Sequence, residues 1–127
     1  MSKVLIIEDD ELMVRMLVRL LNKLELEAIT SELVPTDEQL KEACLVISDI
    51  SLPNVPGIAH IEKIAKSTCC NKLPVIVISG MDITTLESTQ TLLKLLNVNL
   101  LGTFRKPFNK KQLSDFIKES IIETVVK

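Results

Sequence analysis

Four short polar signatures carry side chains suited to metal and phosphate chemistry: Glu8-Asp9-Asp10, Asp49 within Ser48-Asp49-Ile50-Ser51-Leu52-Pro53, Ser79-Gly80, and Lys106-Pro107-Phe108. Each follows an apolar run, namely Val4–Ile7, Leu45–Ile47, Val75–Ile78 and the weaker Leu100-Leu101. Runs of this kind read as buried strands of a parallel sheet, so their polar ends fall on one edge of it. Carboxylates crowded together repel one another at neutral pH unless a proton or a cation intervenes. Magnesium answers that need, because it takes oxygen ligands, keeps several waters and commonly binds one or two carboxylates plus a phosphate. The expected arrangement is Mg2+ held directly by Asp9 and Asp49, with Glu8 acting through water.

The other residues suit phosphoryl transfer. The Asp49 carboxylate can attack phosphorus without a general base, and the product is an acyl phosphate. Such a transfer depends on positioning and charge neutralisation. Lys106 would supply positive charge and Ser79 a hydroxyl donor, with backbone N–H groups after Asp49 and near Gly80 adding to them.

The elements that must position these groups follow from periodicity and caps. Asp10 is placed to cap a first helix from Glu11 to Leu24, with Leu12, Met13, Met16, Leu17, Leu20, Leu21 and Leu24 at helical spacing. The two methionines belong to that core stripe. Glu27 to Thr30 reads as a second strand, and Pro35-Thr36 opens a brief helix with Leu40 and Ala43 facing inward. Cys44 to Ser48 is the third strand, which places Asp49 between strand and helix. Pro53, Pro56 and Gly57 force a loop before a third helix carrying Ile58, Ile61, Ile64 and Ala65.

Asn71 to Pro74 turns into the fourth strand, which Gly80 ends. Asp82 to Leu96 reads as a fourth helix with Leu86, Leu92, Leu93, Leu95 and Leu96, closed by Asn97 to Asn99. The fifth strand runs from Leu100 to Phe104, and Asn109 caps a last helix with Leu113, Phe116, Ile117, Ile121 and Ile122. Strands alternating with helices through right-handed crossovers predict a flavodoxin-like (βα)5 doubly wound parallel sheet of order 2-1-3-4-5. Ligands of such sheets bind at the switch point between the first and third strands, where Glu8, Asp9 and Asp49 stand.

Bulk properties narrow the function classes. A length of 127 residues fits one domain spanning residues 1–127, and 46% hydrophobic with 25% charged residues argues against disorder. With a net charge of −2 and no evident basic stripe, direct nucleic-acid binding is not expected. Phe104, Phe108 and Phe116 are the only aromatics, so stacking platforms for bases are lacking. The N-terminus carries neither signal-peptide nor membrane-span features, and a cytoplasmic protein is expected. Cys44, Cys69 and Cys70 lack zinc or redox spacing and read as reduced thiols. His60 reads as a solvated helix residue.

Taken together across Lys3 to Val126, these signatures resemble the receiver domain of bacterial two-component response regulators. The resemblance rests on the acidic pair, the Asp-x-x-Leu-Pro-x-x-x-Gly segment from Asp49 to Gly57, Ser79-Gly80 and Lys106-Pro107-Phe108. It implies a signalling module that catalyses only its own phosphorylation and slow dephosphorylation. The phosphoryl group would come from a sensor histidine kinase or phosphotransfer protein and be stored on Asp49. It further implies that the Ser51 carbonyl joins the metal ligands and that a cis peptide precedes Pro107. Ser79 would move toward the phosphoryl group and alter the surface of the fourth helix, fifth strand and fifth helix. That surface would serve an output domain, a partner protein or a second copy in a homodimer.

Two features depart from the family pattern. Many receivers carry Tyr or Phe three residues before the lysine, where this chain has Thr103, with Phe104 directed to the opposite strand face. The stretch from Ser79 to Lys106 is also long, similar to receivers attached to EAL-type cyclic-di-GMP phosphodiesterase outputs. An aspartyl phosphohydrolase of the haloacid dehalogenase type would need a second acid two residues after the nucleophile, and that place holds Ser51. A flavin module would need a Gly, Ser and Thr-rich loop after the first strand, where Glu8-Asp9-Asp10 would instead repel phosphate.

Overall fold

A computed structural model describes residues 3–31, 35–50, 73–80 and 82–126. Five strands occur among them: β1 (Lys3–Ile7), β2 (Glu27–Ser31), β3 (Ala43–Asp49), β4 (Pro74–Ser79) and β5 (Asn99–Arg105). The helices are α1 (Glu11–Lys23), α2 (Asp37–Glu42), α3 (Ile83–Leu95) and α4 (Lys110–Val126). The expected helix around Ile58 to Ala65, the loop residues Pro53, Pro56 and Gly57, and His60, Cys69 and Cys70 lie outside the described residues. The helices expected fourth and fifth are therefore α3 and α4.

The sheet is parallel throughout, with the order β2-β1-β3-β4-β5 that the alternating pattern predicts. Alternate side chains of the central strands point to opposite faces, and each face has its own core. On one face Leu5, Ile7, Val46, Val75 and Val77 pack with Leu40 of α2 and Leu86 and Leu93 of α3. On the other, Val4, Ile6, Leu45, Ile47, Ile76 and Ile78 pack with Leu17 and Leu21 of α1 and Leu113 and Ile117 of α4. Covering both faces is why β1, β3 and β4 read as unbroken apolar runs rather than alternating ones. Each such side chain, fully removed from water, contributes about 1.5–3 kcal/mol before the entropy of ordering it.

Local chemistry sets the helix ends. The Asp10 carboxylate accepts from the backbone N–H of Leu12 at 3.0 Å, and Asn109 accepts from those of Lys111 at 2.9 Å and Gln112 at 3.1 Å. Thr36 and Gln39 form a reciprocal capping box on α2. Asn97 leaves α3 with a φ of 62°, a left-handed conformation that asparagine tolerates.

Several sequence expectations shift. Leu12 is not in the buried stripe of α1: it is 74% exposed, because one residue before Met13 rotates it about 100° off the core-facing line. Met13 and Met16 do pack against the core. Ala43 begins β3 rather than ending α2. In α3, Leu86 and Leu93 lie two turns apart and are buried, whereas Leu92 flanks that line, Leu95 lies on the opposite face, and both are exposed.

Candidate functional site

Parallel register brings the polar strand ends to one edge. Ile7 is opposite Ser48, Asp49 opposite Ile78, and Ser79 opposite Arg105. Glu8 follows β1 directly, and its backbone N–H donates to the Ser31 carbonyl at 3.1 Å. Asp49 is the last residue of β3, not a loop residue between strand and helix, because the ladder to β4 continues through it. Lys106 follows β5, and its backbone N–H donates to the Ser79 carbonyl at 2.7 Å. That bond ties the lysine to the end of β4. The Lys106–Pro107 peptide is cis, as the resemblance implies. Beyond it Phe104 meets Phe108 and Phe116 edge-on, with ring centroids 6.2 and 5.4 Å apart.

The Lys106 ammonium bridges two carboxylates that are distant in sequence. Its Nζ donates to Glu8 Oε1 at 2.8 Å and to Asp49 Oδ2 at 2.7 Å. Glu8 and Asp49 are only 1% and 3% exposed. Asp9 is exposed, yet one carboxylate oxygen each from Glu8, Asp9 and Asp49 lie within 4.8 Å of one another. Asp10 is used on the N-terminus of α1. Ser79 is fully buried at the end of β4, one residue beyond the register partner of Asp49. The structure thus brings Glu8, Asp9, Asp49 and Lys106 together, with Ser79 on the same edge. Ser51 lies outside the described residues.

Burial and crowding show in the proton affinities. Desolvation, and next a hydrogen bond with Asp49, push Glu8 from 4.5 up to about 8, against the opposing pull of Lys106. Burial alone would lower the Lys106 ammonium, but its hydrogen bonds to Asp49 and Glu8 outweigh that and hold it above its ordinary value. Glu8 Oε2 is buried and accepts from no donor among the described residues. A buried carboxylate oxygen lacking a donor, beside two further carboxylates, calls for a proton or a hard cation. The all-oxygen donor set fits Mg2+.

Sequence reasoning missed Gln90 of α3, whose side-chain amide donates to the Thr103 hydroxyl on β5. Gln90 carries no sequence signal for this, because the contact depends on how α3 lies over the strand. Phe104 points, as expected, to the face opposite Thr103, where it packs with the α1 and α4 core. Among the described residues no helix is long and apolar enough to cross a membrane.

Comparison with known proteins gives a consistent result. The family described as response regulator receiver domain matches residues 4–118. A receiver domain protein from Clostridium thermocellum has a similar structure, with a TM-score of 0.76 at 22% identity over 99% of this chain and 98% of that one. A CheY-like receiver from Methanospirillum hungatei gives 0.78 at 20% identity over 98% and 96%. The phosphorylated cyanobacterial phytochrome response regulator RcpA gives 0.71 at 20% identity over 94% and 90%. No curated protein sequence matches the chain.

Proposed function

Because this chain belongs to the response regulator receiver domain family, we propose that it is a phosphorylatable switch. In this reading it takes a phosphoryl group onto Asp49 from a sensor histidine kinase or phosphotransfer protein in the cytoplasm. The observation that carries the reading is the Asp49 carboxylate, ionically paired with Lys106 at 2.7 Å and grouped with the Glu8 and Asp9 carboxylates.

Asp9 and Asp49 would hold Mg2+, with Glu8 contributing through water and Ser51 through its carbonyl by the family pattern. Magnesium, when bound, supplies positive charge that offsets the carboxylates and the phosphoryl oxygens. An Asp49 oxygen attacks phosphorus as the bond from phosphorus to the donor's imidazole nitrogen breaks, and that nitrogen keeps the electron pair. Lys106, already donating to Asp49, is placed to donate to a phosphoryl oxygen instead. The Ser79 hydroxyl supplies another donor. Movement of Ser79 and Lys106 would be felt in β5 through the backbone bond between them, and so at the surface of α3, β5 and α4. An output domain, a partner protein or a second copy would sense that surface. Chemistry would be confined to self-phosphorylation and slow dephosphorylation.

The test is a titration with beryllofluoride and magnesium followed by backbone amide spectra. Shifts centred on Asp49, Ser79 and Lys106 are expected, and Asp49→Asn should abolish them. A flat titration of the native protein would overturn the proposal.

A further inference from the structure

Gln90 is a polar residue on the core-facing line of α3. It stands four residues after Leu86 and three before Leu93, the two buried leucines of that helix, so all three share one face. Its side-chain amide donates to the Thr103 hydroxyl on β5, and both residues are half-buried. Leu100 of β5 packs in the same apolar cluster as Leu86 and Leu93. The amide–hydroxyl bond is therefore a polar contact set into an apolar seam.

The apolar part of that seam is thin. α3 buries two leucines, where α1 buries Leu17, Leu20 and Leu21 and adds Met13 and Met16 to the same core. Ile83, Leu92 and Leu95 of α3 are exposed. Apolar burial has no direction, so it leaves the rotation and height of a helix adjustable, whereas a hydrogen bond has a required geometry. A large share of what fixes α3 on β5 is thus the bond from Gln90 to Thr103.

The same bond closes a ring that includes the site. Asp82, three residues after Ser79, caps α3 by accepting from the Thr85 backbone N–H at 2.7 Å. Gln90 is eight residues farther on, about 12 Å along the helix. Thr103 lies three residues before Lys106, about 10 Å back along β5. At the top, the Lys106 backbone N–H donates to the Ser79 carbonyl at 2.7 Å. Ser79 and Lys106 each lead, along one regular element of similar length, to the two ends of one hydrogen bond. That bond is formed while the Lys106 ammonium donates to Asp49 and Glu8.

We propose that the Gln90–Thr103 hydrogen bond is a latch that holds α3 against β5 while Lys106 is engaged by Asp49 and Glu8, and that it opens when a phosphoryl group on Asp49 draws Ser79 and Lys106 to itself. This latch presupposes the reading of Asp49 as the phosphoryl acceptor. It makes Gln90 and Thr103 positioning residues that set how readily the site accepts its charge. A bond made in only one arrangement biases the equilibrium toward that arrangement, and a ligand of the other arrangement binds more weakly by the same factor. For one hydrogen bond the factor is about five.

The test is a beryllofluoride and magnesium titration of the native chain, Thr103→Val, Gln90→Met, the double variant and Thr103→Ser. It is read from backbone amides around Asp49 and from the Gln90 side-chain amide. Thr103→Val and Gln90→Met each remove the bond with little change of shape, and each should tighten binding of the mimic about fivefold. The double variant should show the same gain of about fivefold and not the product of about 25-fold, because both changes break one bond. Thr103→Ser keeps the hydroxyl and should bind as the native protein does. In the native protein the Gln90 side-chain signal should move in step with occupancy of the site, a measurement that needs no variant. Amide spectra unchanged away from α3 and β5 verify that the variants are folded. Unchanged or weaker binding by either single variant, a multiplicative double variant, Thr103→Ser behaving as Thr103→Val, or a Gln90 signal unmoved at saturation would each overturn the latch and leave the reading of Asp49 intact. A native protein that gives no response at all would overturn both.

Discussion

The raised proton affinity of Glu8 makes a prediction that runs against intuition: replacing this buried site residue by glutamine should stabilise the metal-free protein at alkaline pH. Glu8 has its folded pKa at about 8, above the ordinary 4.5, because burial and the neighbouring Asp49 carboxylate disfavour its charge. An acid of this kind binds its proton more tightly in the folded chain than in the unfolded one. Its contribution to stability is complete below pH 4.5 and is lost progressively as pH rises to about 8. The interval is three and a half pH units. At about 1.4 kcal/mol per unit, the loss has a ceiling of about 5 kcal/mol. Glutamine keeps the shape of Glu8 and cannot ionise, so Glu8→Gln removes this pH dependence.

Urea unfolding in a chelator, measured from about pH 5 to about pH 8.5 on both proteins, gives the test. Taking the difference between them cancels the titrating groups that are not coupled to Glu8. The variant should gain on the wild type with increasing pH, by up to about 5 kcal/mol at the alkaline end. Saturating magnesium should return much of the lost stability to the wild type and less to the variant, since binding only the folded state stabilises it by mass action. A difference that stays constant with pH would refute the assignment of the buried proton to Glu8.

Two other perturbations test the same framework. Lys106→Met leaves Glu8 and Asp49 buried without their shared ammonium, and because Lys106 is itself 22% exposed the cost belongs at the low end for broken buried pairs, about 3 kcal/mol. Denaturation of that variant without metal should show a larger loss at pH 8 than at pH 6, where Glu8 can hold its proton. Gly102→Ala would bring a Cβ to 2.9 Å from Phe116 Cζ, a ring already held edge-on by Phe104, and thermal melts should report a loss of about 1–2 kcal/mol.

What the sequence made legible was whatever is decided locally or by simple periodicity. Asp10 and Asn109 could be placed as caps because a cap needs only a short polar side chain ahead of a helix. The strand ends could be placed on one edge because β1, β3 and β4 are unbroken apolar runs, and a parallel sheet aligns their polar exits. Solvent exposure of individual leucines was less legible. Leu12 and Leu92 each lie one residue from a core-facing position, and the apolar pattern tolerates such an error while the side chain is turned about 100° away; Leu95, two residues past Leu93, is turned about 200°.

Pairings between remote segments were the least legible. The chain reads as having no basic stripe because Arg15, Arg19 and Lys23 are separated by Met16 to Val18 and Leu20 to Asn22 and Lys110 and Lys111 lie far along the chain; packing α1 beside α4 lines one groove of about 520 Å³ with all five. The Glu8–Lys106 bond has the same origin, spanning 98 positions in sequence and 2.8 Å in space. Here the strand register supplies what periodicity could not. Once Ser79 is opposite Arg105 and the next backbone N–H bonds back to the Ser79 carbonyl, Lys106 must leave β5 beside β4. Its ammonium then meets Asp49 across the adjacent strand and Glu8 beyond it, so the position of the cation is fixed by backbone pairing and its charge state by the two acids it bridges.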